Sequence, residues 1–195
     1  MRGGLKSRHG REPHPVARRA DANGKPMHSW RVLLLPYLEN RTLYQQYDFN
    51  EPWNGPNNRR LAKYCITWFR CPHSKSPFAE TNYVVVVGSQ TLWPGAACGS
   101  FDDVPDGTPQ TVLVVETASS GILWSEPRDL DVSTMNVTIN SAGGKGISSQ
   151  HPGGANVVMA DGSVRLLPDS TTWQSLHAVL TRNGGEDVAK LLGDQ

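Results

Sequence analysis

The stretch Asn156–Leu167, NVVMADGSVRLL, constrains the fold more than any other part of the chain. An Asp-Gly pair between two β-prone runs asks the backbone to reverse within a few residues and pair with itself. Read as a two-residue type I′ turn, Asp161-Gly162 sets Ala160 opposite Ser163, Met159 opposite Val164, Val158 opposite Arg165 and Val157 opposite Leu166. Val157, Met159, Val164 and Leu166 then form an apolar face, and Asn156, Val158, Ala160, Ser163 and Arg165 the other. A one-residue slip would expose the apolar set, so its burial is expected to fix the register. Thr81–Gly88 (TNYVVVVG) and Thr111–Glu116 (TVLVVE) are two further strand candidates, the first buried on both faces.

Helical spacing lies elsewhere. In His28–Phe49, apolar residues fall at Trp30, Leu33, Leu34, Tyr37 and Leu38, then at Leu43, Tyr44 and Tyr47, while Pro36 breaks the run into two short helices. A brief helix is predicted at 58–64 and another at Thr171–Arg182. The latter has Thr171 and Gln174 as a capping box, and Trp173, Leu176, His177 and Leu180 on its apolar face. Nineteen glycines and 14 prolines make about a sixth of 195 residues, which suits a folded protein rich in turns and irregular segments rather than a helical bundle.

Residues 1–31 hold eight Lys/Arg against Glu12 and Asp21, a net +6; the rest of the chain holds 11 basic and 16 acidic residues, a net −5. The basic stretch has no aromatic residue before Trp30, so it lacks the stacking platform of a single-strand binder, and no nucleic-acid partner is expected. Residues 1–27 have no apolar period and are predicted to be disordered; residues 28–195 are read as a single domain. No run approaches the ~20 apolar residues of a membrane span, and no secretory signal is present.

The motifs of chemistry are largely missing. There is no Gly-x-Ser-x-Gly elbow, no phosphate loop, no His-Glu-x-x-His and no paired Cys/His spacing for zinc, so neither catalytic residue nor cofactor is expected. Cys65, Cys71 and Cys98 allow at most one internal disulfide; they are read as buried or loose thiols, with a Cys71–Cys98 bridge as the alternative in an oxidising compartment. Asp102-Asp103-Val104-Pro105-Asp106 and Asp129-Leu130-Asp131 are acidic loops, and Asp129 and Asp131 are the candidate calcium ligands. His151, ahead of Pro152-Gly153-Gly154, is read as bonding backbone groups at a turn, and Asp161 as serving the hairpin loop.

HPGGANVVMADGSVRLL places nine residues between His151 and Asp161-Gly162, and so resembles the C-terminal His-x9-Asp-Gly signature of a large planctomycete family of prepilin-like proteins. HSWRVLLLPYLEN, LYQQYDFNEPWNGPNN, the Arg70-Cys71-Pro72 step, TNYVVVVG, DGTPQTVLVVE and SGILWSEPRDLD extend the likeness over about residues 22–190. Its signature residues here are His151, Gly153, Gly154, Asn156, Asp161 and Gly162. The resemblance implies a pilin-like α+β fold, an antiparallel sheet with short helices, a cell-envelope location, kinship with type II secretion pseudopilins, and envelope or pilin-like partners. It also implies a long apolar anchoring helix before Ala22, where this chain has a basic, proline-rich stretch. Residues 1–20 are therefore expected to come from a misassigned start, a frameshift or a truncated gene. His73 stands where the family more often has serine. The expected function is a non-catalytic envelope subunit. The competing expectation is an extracytoplasmic module that binds a solute, a glycan or calcium through Trp53, Trp93, Trp124 and the acidic loops.

Overall fold

The computed structural model describes residues 18–21, 24–95, 104–141 and 145–188. Its centre is a four-stranded antiparallel sheet of β3 (Tyr83–Val84), β5 (Val112–Glu116), β7 (Gly154–Met159) and β8 (Val164–Pro168), in that spatial order. The fold is α+β with only short helices, as expected. Residues 18–20 (β1) pair antiparallel with Pro26–Ser29 (β2), so this part of the stretch expected to be disordered forms a two-stranded hairpin; residues 1–17 lie outside the described residues.

The valine-rich run divides between two sheets. Tyr83–Val84 pairs with β5, whereas Val86–Val87 (β4) runs parallel to Leu130–Asp131 (β6). Val84, Val85 and Val86 are all buried: Val84 and Val86 join one apolar cluster and Val85 another, as the alternation of a strand requires. A bulge in β5 turns both Val112 and Val115 toward the first cluster, and the carbonyl of Leu113 at the bulge accepts the indole N–H of Trp93 at 2.8 Å.

The hairpin exists, but its register differs from the two-residue reading. Val158 pairs with Val164, Val157 with Arg165, Asn156 with Leu166 and Ala155 with Leu167. The loop is three residues, Ala160-Asp161-Gly162: the Met159 carbonyl accepts the Gly162 N–H at 2.9 Å, and the Met159 N–H donates to the Ser163 carbonyl at 2.8 Å. Gly162 alone takes a left-handed φ, of +87°. Asp161 avoids that conformation, which is costly for a residue with a Cβ, and its Oδ1 instead accepts both the N–H and the hydroxyl of Ser163. Val157 and Met159 accordingly stay in the core, while Val164 and Leu166 move to the other face of the edge strand, 66% and 40% exposed.

The first core cluster is roofed by α4 (Trp173–Leu180), whose Leu176, Val179 and Leu180 pack on Ala155, Val157, Met159 and Leu167. Trp173 and His177, assigned to the buried face by spacing, instead contact each other ring to ring on the flank of the helix. The helix begins two residues later than predicted. Thr172 is its N-cap and accepts the Ser175 N–H, whereas Thr171 donates to the Pro168 carbonyl. Thr172→Ala is expected to cost about 1 kcal/mol in thermal melts, and Gln174→Ala under about 0.5 kcal/mol; the reverse ranking would restore the Thr171–Gln174 box.

On the opposite side of the sheet, α1 (Trp30–Leu34), a 3-10 turn through Pro36, α2 (Arg41–Gln46) and α3 (Asn58–Leu61) enclose Val32, Leu35, Tyr47, Leu61, Phe69 and Trp124. The break at Pro36 falls where the sequence places it. None of the helices among the described residues is long and apolar enough to cross a membrane.

Candidate functional site

The site is assembled at the end of the sheet where β3 begins and β5 finishes. Arg70 donates to the carbonyls of Ser74, Ser76 and Pro77 and so holds the next few residues as a compact loop. Within it, Cys71-Pro72-His73-Ser74 is a β-turn, closed by the Ser74 N–H on the Cys71 carbonyl at 2.9 Å; Pro72 presets its first corner. Asn82, fully buried, fastens that turn to the sheet. Its Oδ1 accepts the Cys71 N–H at 3.1 Å, and its amide group donates to the carbonyls of Thr117 and Ala118.

His151 arrives from the other direction. The Ser148 N–H donates to the Glu116 carbonyl, the Ala118 N–H to the Ser148 hydroxyl, and the His151 N–H to the Ser149 hydroxyl, so residues 148–151 run alongside the end of β5. Cys71 Sγ and His151 Nε2 are 3.5 Å apart, and the rings of His73 and His151 meet edge to face with centroids 4.6 Å apart. One ligand atom from each of Cys71, His73 and His151 lies within 4.8 Å of the other two. Cys71 is buried, His151 half-buried and His73 exposed, so the cluster reaches from the core to the surface.

Glu116 lies beneath the cluster, 2% exposed. Its Oε2 accepts the backbone and side-chain N–H groups of Asn156, both at 3.3 Å. Among the described residues no basic side chain pairs with it. Burial pushes the Cys71 thiol above its ordinary range; the carboxyl of Glu116 adds to that rise, and the N–H groups of His73 and Ser74, directed at the sulfur, partly offset it. Burial also raises the Tyr83 phenol, which stands across from Glu116, with Cys71 and Glu116 contributing.

The residues singled out by the sequence divide into two groups. Gly153 adopts φ +91°, Gly154 admits β8 at close range, and Asp161 and Gly162 build the hairpin loop; all four shape backbone. His151 and Asn156 lead into the cluster instead, and His151 faces side chains rather than only freed backbone groups. Motif spacing missed Cys71, His73, Glu116 and Asn82, because Cys71 and His151 are 80 residues apart. The Cys71 thiol is free here, and Cys98 lies outside the described residues.

The calcium candidates are engaged otherwise. Asp129 forms a buried ion pair with Arg31 at 2.8 Å, and its Oδ1 also accepts from Trp30 Nε1 and the Val85 N–H. Asp131 caps Ser133 through its N–H and hydroxyl. The cleft of about 300 Å³ beside both also carries Arg128 and Lys145, whose charge opposes a cation. Asp102 and Asp103 lie outside the described residues. Trp93 and Trp124 are buried core residues rather than loop platforms.

The sequence profile of a known family matches residues 7–97 and 122–174, well over half the chain. The chain belongs to the SBP_bac_10 family. That family is described as a protein of unknown function (DUF1559). Both matched segments contribute to the cluster, Cys71 and His73 from the first and His151 from the second. The SBP_bac_10 match begins at residue 7, so most of the basic stretch belongs to the region shared with the family instead of being foreign to it. No curated protein and no solved structure matches the chain.

Proposed function

We propose that the chain is a non-catalytic subunit of the cell envelope, prepilin-like in kind, whose sheet docks on other envelope or pilin-like proteins and not on nucleic acid. The observation that carries this reading is the edge strand β8. It presents Val164 and Leu166 to solvent on the sheet face away from α4, beside an edge that no further strand among the described residues pairs with. The case against catalysis is that the cysteine nearest a histidine is buried and that burial pushes its thiol pKa up, the reverse of an activated nucleophile. The test is a photocrosslinking side chain placed at Val164 in the native host. Adducts with envelope proteins are expected, and adducts confined to cytosolic proteins, or none, would end the proposal.

The alternative reading, an extracytoplasmic binding module, is favoured by one observation, the convergence of Cys71, His73 and His151.

A further inference from the structure

The Cys71–His151 distance is that of a coordination shell. An ion bonded to sulfur at about 2.3 Å and to imidazole nitrogen at about 2.0–2.1 Å, in tetrahedral geometry, holds those two donors about 3.6 Å apart. Cys71 Sγ and His151 Nε2 stand at 3.5 Å, and an Nδ1 or Nε2 atom of His73 lies within 4.8 Å of both. With the exposed His73 ring turned inward, the three donors would fill three corners of a tetrahedron, leaving a fourth for water.

The surroundings supply a second observation. Glu116 is buried beneath the cluster, where Asn156 donates to it and no basic side chain among the described residues pairs with it. A cation bound at the sulfur would lie next to that acidic group. The turn is held for it as well: Asn82 accepts the Cys71 N–H, and Arg70 donates to the carbonyls of Ser74, Ser76 and Pro77, which fixes the turn as a supporting shell.

We propose that Cys71, His73 and His151 bind one borderline transition-metal cation, of the Zn²⁺ class, which clasps the 71–74 turn to the segment leading into β7. One sulfur and two nitrogen donors suit Zn²⁺ and its neighbours in the first transition row, not the all-oxygen shells of calcium or magnesium. On binding, the metal–sulfur bond forms and the Cys71 proton leaves to solvent. No oxidation takes place. This site is separate from the β8 surface, so either assignment stands or falls without the other.

The test is a Co²⁺ titration of the full, reduced, metal-free chain, followed by the sulfur-to-cobalt charge-transfer absorption in the near ultraviolet. One Co²⁺ per chain is expected, displaced by Zn²⁺, with the band lost in Cys71→Ser. Because replacing the buried Cys71 also disturbs packing, His73→Ala carries the decision: it is exposed, and the variant should melt like the metal-free parent while binding Co²⁺ at least about tenfold more weakly. Absence of the band in the parent, its persistence in Cys71→Ser, or unchanged affinity in His73→Ala would each overturn the site.

Discussion

Asp129→Ala should lower the stability of this domain by about 3–5 kcal/mol, because it leaves a buried guanidinium without its counter-charge. Arg31 is completely buried, and the Asp129 side chain is 2% exposed. Around that pair the guanidinium donates to the Tyr83 carbonyl, the Ser29 hydroxyl and the Arg128 carbonyl, so one side chain joins α1, β3 and the segment before β6. Burial pulls the Arg31 pKa below its ordinary value, and Asp129, then Glu126, partly offset that fall. Asp129 in turn receives the Val85 N–H, at the point where the valine run passes from one sheet to the other. Removing the carboxylate therefore orphans a cation, an indole N–H and a backbone N–H together. For a chain of this size the midpoint should fall on the order of 10 °C. Arg31→Met combined with Asp129→Leu should cost less than Asp129→Ala alone, since no charge is then stranded. If Asp129→Ala melts within about 1 °C of the parent, the pair is not buried as described.

What the sequence reveals follows from how far apart the interacting residues lie. The α1–α2 region was legible because its signals are local: apolar residues three and four apart and a proline that cannot continue a helix. The hairpin was legible as a hairpin but not in its register. Asp-Gly suits both a two-residue and a three-residue loop, and the choice turned on Asp161 bonding Ser163 instead of adopting a left-handed φ. Strand β6 is two residues long and exists only because β4 lies beside it, so no periodicity could announce it. Asp129 looked like a calcium ligand because an acidic loop does not disclose that Arg31, 98 residues earlier, folds onto it. The cluster was hidden for the same reason. The Arg70-Cys71-Pro72 step and the His151 signature were both visible as stretches, yet their meeting depends on Asn82 and on Ser148 and Ser149 at the end of β5.

Gly154→Ala should be the most damaging substitution within the signature, and the comparison with its neighbour Gly153 shows why. A Cβ on Gly154 would overlap the Leu167 carbonyl oxygen and lie 3.0 Å from its carbon and 3.1 Å from Pro168 Cα. All of these atoms are backbone of the paired strand, so no side chain can move aside; β7 and β8 must separate, at a cost of about 3 kcal/mol. Gly153 has φ +91° and open space around its missing Cβ, so Gly153→Ala meets only the conformational penalty, about 1–2 kcal/mol. The larger effect should also travel. Gly154 lies two residues before Asn156, whose two N–H donors hold Glu116, and three after His151. Displacing the start of β7 should therefore disturb the Cys71 cluster, whereas Gly153→Ala should leave the strand pairing intact. Urea unfolding of the two variants measures the difference. Equal midpoints would mean that the strands are not packed this closely, and that the paired glycines after His151 serve the turn alone.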